Sequence, residues 1–212
     1  MRERPIPVQP FRVYDIFKRL FDIVCVIIIM IPLLPVFIII ALLIKLESEG
    51  PIIYYQTRLG KGGRAFHCYK FRTMVKNAKA MEAKLQAASK GNMVKFNNDP
   101  RITRMGHFLR AWSVDELPQL FNVLFGDMSF VGPRPIQPHE HEIDLEWKNI
   151  RLSVLPGITG LQQIMARDTQ SFEEFKLFDT EYVQKRSFWL DLKILLKTPG
   201  TVAKKGSGKD SM

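Results

Sequence analysis

The chain has 212 residues, 46% hydrophobic and 25% charged, which suits one compact domain with appendages and excludes a disordered chain. Its 31 Lys and Arg outnumber 21 Asp and Glu, and the net charge of +10 calls for an anionic partner: nucleic acid, anionic lipid or a phosphorylated substrate. Cys25 lies in an apolar run and Cys68 in a basic stretch, so a disulfide framework is excluded and the polar part belongs in a reducing compartment.

Residues 1–16 read as a basic lead-in, where Pro5, Pro7 and Pro10 stand among Arg2, Arg4 and Arg12 and oppose helix. Residues 17–46 read as a membrane-inserted helix. From Ile23 to Ile44 no residue is charged, which is long enough to cross a hydrocarbon core of about 30 Å and too long for a signal-peptide core. Pro32 and Pro35 interrupt this run near its middle, and each removes an intrahelical hydrogen bond. Lys18 and Arg19 precede the run and Lys45 and Arg58 follow it, so the charge rule gives no direction of crossing. A re-entrant helix, broken at the prolines and returning to the same face, satisfies both flanks; an ordinary spanning helix with a kink is the alternative. Asp22 abuts the run and needs a cation, with Lys18 or Arg19 at hand.

Residues 47–203 read as one mainly helical α+β domain. Pro51 to Tyr55 and Ala65 to Phe71 predict a small hairpin about a Gly60-Lys61-Gly62-Gly63 turn. That turn has no Walker-type ending, so a nucleotide loop is the weaker reading. Lys70, Arg72 and the turn cations are placed to face an anionic surface. Met74 to Ser89 predicts a helix with Lys76, Lys79 and Lys84 on its solvated side. Gly91 to Pro100 reads as a loop, and Ile102 to Trp112 as a short amphipathic helix carrying Arg104 and Arg110.

The stretch Trp112-Ser113-Val114-Asp115-Glu116-Leu117-Pro118-Gln119-Leu120 carries the chemistry. Leu117, Leu120, Phe121, Leu124 and Phe125 recur at helical spacing, and Pro118 fits a first turn, so a helix starts close to Asp115. Asp115 and Glu116 then sit at its positive end, where ionised carboxylates and phosphate are both favoured. An ionised Asp there serves as nucleophile or metal ligand. The plainer alternative is a capping box of Ser113 and Glu116.

Beyond a Gly126-Asp127 turn and an extended Ser129-Phe130-Val131, Pro133 and Pro135 fix the backbone on both sides of Arg134, which suits phosphate binding or simply a rigid turn. His139 and His141 alternate with Glu140 and Glu142; no matching cluster makes them a metal site, and a polar helix start fits better. Pro156 to Gly160 is a turn. Arg167 is a further anion ligand or a partner for Asp168. Phe172 to Tyr182 has helical spacing. Lys185 to Lys197 mixes Trp189 and leucines with cations, as core packing or as an interfacial amphipathic helix on anionic lipid. Residues 204–212 read as a disordered tail.

Several pieces in order resemble the bacterial sugar transferases, monotopic polyprenyl-phosphate phosphoglycosyl transferases. They are Lys18-Arg19 with Asp22, Tyr69-Lys70-Phe71-Arg72-Thr73-Met74, Asp99-Pro100-Arg101, Asp115-Glu116-Leu117-Pro118-Gln119-Leu120, Gly132-Pro133-Arg134-Pro135, and Pro156-Gly157-Ile158-Thr159-Gly160-Leu161 with Gln163 and Arg167. The chain departs from many members at Leu34, before the second proline, and at Ile164-Met165-Ala166. The resemblance implies transfer of a phosphosugar from a UDP-sugar to undecaprenyl phosphate with release of UMP. Asp115 would be nucleophile and Glu116 its assistant, both near Mg²⁺, with Lys70, Arg110, Arg134 and Arg167 on phosphate. It also implies a re-entrant membrane helix in the bacterial inner membrane and a catalytic domain facing the cytoplasm. UDP-sugar, undecaprenyl phosphate and anionic lipid are the expected partners, a homodimer is compatible, and nucleic acid is not expected, as no signature of a nucleic-acid fold appears. The rival readings are a membrane-surface scaffold of a polysaccharide assembly complex and a membrane-bound phosphatase.

Overall fold

The computed structural model describes residues 10, 12–78, 80–81, 99–138, 144–165 and 171–206. The apolar run folds as one helix, α1 (Val13–Glu47). Val26, Met30, Leu33, Phe37, Ile40 and Ile44 recur every three or four residues along it and pack against the rest of the chain. The opposite face carries Ile27, Ile31, Leu34, Ile38 and Leu42, each more than half exposed. Apolar surface of that extent calls for lipid rather than water. Among the described residues α1 is the one helix long and apolar enough to cross a membrane.

The helix runs unbroken through Pro32 and Pro35, so the interruption expected there is not seen in the backbone. Each proline removes one hydrogen bond, to the carbonyl of Ile28 or Ile31, and the bonds on either side carry the helix across. Both ends of α1 are bonded to the same domain. Near its start, Lys18 Nζ meets Asp191 at 2.5 Å and Arg186 Nη1 meets Asp15 at 2.8 Å. At its exit the buried Arg72 guanidinium donates to the carbonyls of Ser48 (2.6 Å) and Pro51 (2.6 Å). Arg72 therefore caps a helix end and does not face an anionic surface. Asp22 is fully buried and accepts the Phe130 N–H at 3.3 Å, while Arg19 donates to the carbonyls of Val123 and Leu124. Lys18, not Arg19, is thus the cation that remains to offset the Asp22 charge.

β1 (Ile53–Leu59) and β2 (Ala65–Phe71) form the expected hairpin, antiparallel in the register Ile53↔Phe71 to Leu59↔Ala65. A 3₁₀ turn at Lys61–Gly63 closes it, with Gly62 and Gly63 at positive φ. Alternation along β2 buries Phe66 and Cys68 against Leu120 and Val123 of α3 (Gln119–Phe125). Asn122, fully buried on α3, completes that contact: its Oδ1 accepts the Tyr69 N–H at 3.0 Å and its Nδ2 donates to the His67 carbonyl at 2.7 Å. The carboxamide thus pairs with β2 as a neighbouring strand would. α2 (Arg104–Ala111), capped at its start by Thr103, packs Leu109 and Met105 against Ile40 and Ile44 of α1.

The second half builds its own core. Val131, Val154, Tyr182, Val183 and Ile194 pack together where β3 (Ser129–Val131) meets α6 (Phe172–Lys185) and α7 (Phe188–Gly206). β3 pairs in parallel with β4 (Gly157–Thr159), in the stretch expected as a turn. Gly132 and Gly157 allow the two backbones to meet: a Cβ on Gly157 would sit 2.1 Å from the Gly132 nitrogen. α4 (Leu145–Leu152) and the short α5 (Leu161–Met165) flank this pair. α7 buries Ile194 and exposes Trp189 and Leu196 by about three quarters, so core packing and an outward apolar face coexist on one helix. It also reaches Gly206, into the stretch expected to be a disordered tail. The expected helix beyond residue 81, the His139 to Glu142 stretch and residues 207–212 lie outside the described residues.

Replacing Asn122 by Ala removes both of its bonds to β2, which costs about 1–3 kcal/mol. The thermal unfolding midpoint in detergent should fall by roughly 5 °C. An unchanged midpoint would show that the carboxamide does not hold α3 to the hairpin.

Candidate active site

The site forms where three separate segments meet: the end of β2, the turn before α3, and the Gly132 to Ile136 turn. Ser113 adopts the left-handed conformation (φ 55), a cost of about 1–2 kcal/mol for a side-chain-bearing residue, and reverses the chain after α2. The 3₁₀ turn Val114–Glu116 follows, and the α-helix begins at Gln119 with Pro118 at its cap. The expected start at Asp115 is therefore displaced by a 3₁₀ turn, and the helix dipole is not the main source of positive potential. Nor does the capping box form. Ser113 makes no side-chain cap bond, and Glu116 turns instead toward Lys70 and Arg134.

Glu116 Oε1 lies 2.6 Å from Lys70 Nζ and 3.2 Å from Arg134 Nη2. Burial raises the Glu116 pKa, but Arg134 and Lys70 outweigh it and hold the group at about 2. It is a carboxylate at neutral pH, able to accept a proton and not to donate one. Asp115 is half-buried, within electrostatic reach of Arg110 and Arg134. Burial lowers the Arg110 pKa, and the Asp115 charge offsets this only in part. Arg110 Nε donates to Thr73 Oγ1 at 2.8 Å, which fixes the guanidinium next to β2.

Arg134 is held from behind along its whole turn. The Pro133 carbonyl accepts from Gly157 N–H at 2.9 Å, the Arg134 carbonyl from Arg151, the Pro135 carbonyl from Arg58 at 3.1 Å, and the Ile136 carbonyl from Leu59 N–H at 2.9 Å. A guanidinium on so fixed a backbone loses little further freedom when it binds an anion. The rigid-turn reading and the anion-site reading of this motif are therefore both realised in one structure.

Asp115, Glu116, Lys70, Arg110 and Arg134 all line one open cleft of about 2080 Å³, together with Tyr54, Tyr55 and Trp112. Arg167 lies outside the described residues. Sequence reasoning missed Asn122, Arg58 and Arg151. All three act on backbone carbonyls or amides, which no residue pattern displays. Among the described residues no group of three or more His, Cys, Asp or Glu is placed to hold a metal ion. Mg²⁺ usually takes one or two carboxylates and completes its shell with water and substrate phosphate. Adjacent Asp115 and Glu116 fit that smaller donor set.

The arrangement is thus a pair of carboxylates in a cationic cleft, next to an apolar helix that demands lipid. Comparison with known proteins agrees: the chain belongs to the bacterial sugar transferase family, whose model matches residues 13–205. It is 44% identical over 195 residues to an undecaprenyl-phosphate galactose phosphotransferase of Salmonella typhimurium, covering 89% of this chain and 40% of that protein. It is 40% identical to the exopolysaccharide production protein ExoY of Sinorhizobium fredii, covering 91% and 88%. It is also 39% identical to a UDP-N-acetylgalactosamine-undecaprenyl-phosphate N-acetylgalactosaminephosphotransferase of Aeromonas hydrophila, covering 91% and 45%. The chain therefore spans about two fifths of the Salmonella relative and most of the ExoY relative.

Because its pKa is depressed from 4.5 to about 2, Glu116 contributes stability that is complete above 4.5 and is lost as pH falls toward 2. Thermal midpoints recorded from about pH 6 to about pH 3 should decline less steeply in Glu116→Gln than in the unaltered protein. Parallel declines would remove the ion pairs from the account.

Proposed function

We propose that the chain transfers a phosphosugar from a UDP-sugar to undecaprenyl phosphate, releasing UMP and starting assembly of a glycan such as an exopolysaccharide, capsule, O-antigen or glycoprotein glycan. The observation that carries the reading is the meeting of Asp115 and Glu116 with Lys70, Arg110 and Arg134 in one cleft. The relatives support it, being named for transfer of galactose and N-acetylgalactosamine phosphates to undecaprenyl phosphate.

An Asp115 oxygen attacks the sugar-bearing phosphorus of the UDP-sugar. The bond from that phosphorus to the bridging oxygen breaks, and UMP leaves with the electron pair. An aspartyl phosphosugar remains. An oxygen of undecaprenyl phosphate then attacks the same phosphorus, the bond to Asp115 breaks, and the carboxylate is restored. No net proton is needed in either displacement. One hard transfer between two anions becomes two easier ones. Lys70, Arg110 and Arg134, with Arg167 as a fourth proposed ligand, neutralise the diphosphate and the charge that develops on UMP. Glu116 holds Lys70 and Arg134 in place from behind. Asp115 and Glu116 would hold Mg²⁺, which would supply further charge neutralisation there.

The same reading assigns residues 17–46 to the membrane-inserted segment and 47–203 to a catalytic domain on the cytoplasmic side of the bacterial inner membrane. α1 enters and leaves the bilayer on one side, with Pro32 and Pro35 deepest. Its support is that the Lys18 end and the Ser48 end are both bonded to one domain, which cannot lie on both sides of a bilayer. The exposed Trp189 and Leu196, with Lys193 and Lys197 exposed beside them, suit α7 to an anionic lipid surface.

Purified protein with Mg²⁺ and undecaprenyl phosphate should release UMP from one of UDP-galactose, UDP-glucose or UDP-N-acetylgalactosamine. Asp115→Asn should lose turnover by several orders of magnitude while remaining in the membrane fraction. Full activity in that variant would remove Asp115 as the nucleophile; no UMP release by the unaltered protein would favour the scaffold reading, and release of inorganic phosphate the phosphatase. For the topology, Val13→Cys and Glu49→Cys should both react with an impermeant thiol reagent in inside-out vesicles and neither in right-side-out ones. Labelling on opposite sides would make α1 a spanning helix.

A further inference from the structure

The exit of α1 is bonded to the two elements that carry Lys70 and Arg110 of the cleft. The Arg72 guanidinium closes over this exit, donating to the carbonyls of Ile44 (3.4 Å), Ser48 (2.6 Å) and Pro51 (2.6 Å) and to Ser48 Oγ (2.8 Å). Two residues before it on β2, Lys70 reaches Glu116. Between them Phe71 packs into the cluster of Phe37, Ile40 and Ile44 on α1. One residue after it, Thr73 accepts from Arg110. From the other side, the Glu47 carboxylate at the last turn of α1 accepts the Met105 N–H at 3.1 and 3.2 Å, at the start of the helix that carries Arg110. Gly50 leaves room for this: its φ is +124, and a Cβ there would lie 2.5 Å from Arg72 Nη1.

Resting on the two-step reading above, we propose that Arg72 and Glu47 form a latch that sets the distance between the lipid surface and Asp115. Arg72 and Glu47 are positioning residues, acting through β2 and α2. The two displacements depend on that distance differently. The first takes a water-soluble UDP-sugar, which reaches Asp115 at any depth. The second takes a phosphate tethered to the bilayer by its prenyl chain, and it proceeds only if the carboxylate lies within reach of the headgroup plane. Loosening the latch therefore slows the second displacement and spares the first. A generally damaged fold would slow both.

The test uses the full chain in lipid nanodiscs with the UDP-sugar that the unaltered protein accepts. UMP is first measured without acceptor, as a burst of one equivalent, and then in steady state with undecaprenyl phosphate. Arg72→Ala should keep the burst rate and amplitude, while turnover onto undecaprenyl phosphate falls roughly ten- to a hundredfold. Transfer onto a short, water-soluble prenyl phosphate should be spared, and Arg72→Lys should recover part of the loss. Glu47→Ala, at an exposed position that the fold tolerates more readily, should show the same pattern more weakly. Equal loss in burst and turnover, or equal loss with both acceptors, in Glu47→Ala as well as Arg72→Ala overturns the latch. So does unaltered turnover in both variants. If the unaltered protein gives no burst yet makes product, the covalent route of the proposed function fails instead.

Discussion

One half-buried carboxylate organises the cleft. Glu116 draws Lys70 from β2 and Arg134 from the Gly-Pro-Arg-Pro turn onto a single oxygen, joining segments 46 and 18 residues away. Removing it would leave two neighbouring cations to repel each other. Its low pKa keeps the charge in place across the physiological range. Everything around it is arranged to keep those three groups from drifting. Asn122 holds α3 to β2, Thr73 holds Arg110, and four successive carbonyls on the Arg134 turn have donors. Such a cluster favours incoming phosphate because its cations exceed its carboxylates, and because it need not reorganise to receive charge.

The second organising fact is that α1 lies along the domain instead of standing away from it. One stripe of the helix serves two cores, Val26 with the hairpin and α3, and Ile40 and Ile44 with Phe71 and Leu109. The remaining faces are apolar and bare. Protein packing and lipid contact thus divide the circumference of a single helix. The cationic cleft is consequently held at a fixed relation to a surface that demands hydrocarbon, which is the geometry a transfer between a soluble donor and a membrane-bound acceptor needs.

The sequence displayed much of this. Periodicity and charge placed α1, the hairpin, α2, α6 and most of α7, because burial repeats at 3.6 or 2 residues there. The carboxylates and three of the four proposed cations fell into one cleft; Arg167 lies outside the described residues. What stayed hidden has a common cause. The β3–β4 pair is three residues on each side, too short to show a period, and its partners are 28 residues apart. Asn122, Arg58, Arg72 and Arg151 bond to backbone atoms, whose positions depend on the finished fold. The helix dipole was overvalued at Asp115, since Ser113 and a 3₁₀ turn intervene. A proline was expected to interrupt α1, and the backbone shows that two lost hydrogen bonds do not suffice to end a helix of 35 residues.

The knot at the start of α1 bears on how the molecule is made. Tyr14 and Lys18 close onto Asp191, 177 and 173 residues further along. Translation therefore delivers α1 well before the residue that clasps its start. Until the hairpin, α2 and α3 follow, that helix has no partner in its own chain, and exposed to water it would be a site of aggregation. Insertion of α1 as proposed would then precede the closure of α7 onto it. Delayed targeting would endanger the nascent chain itself.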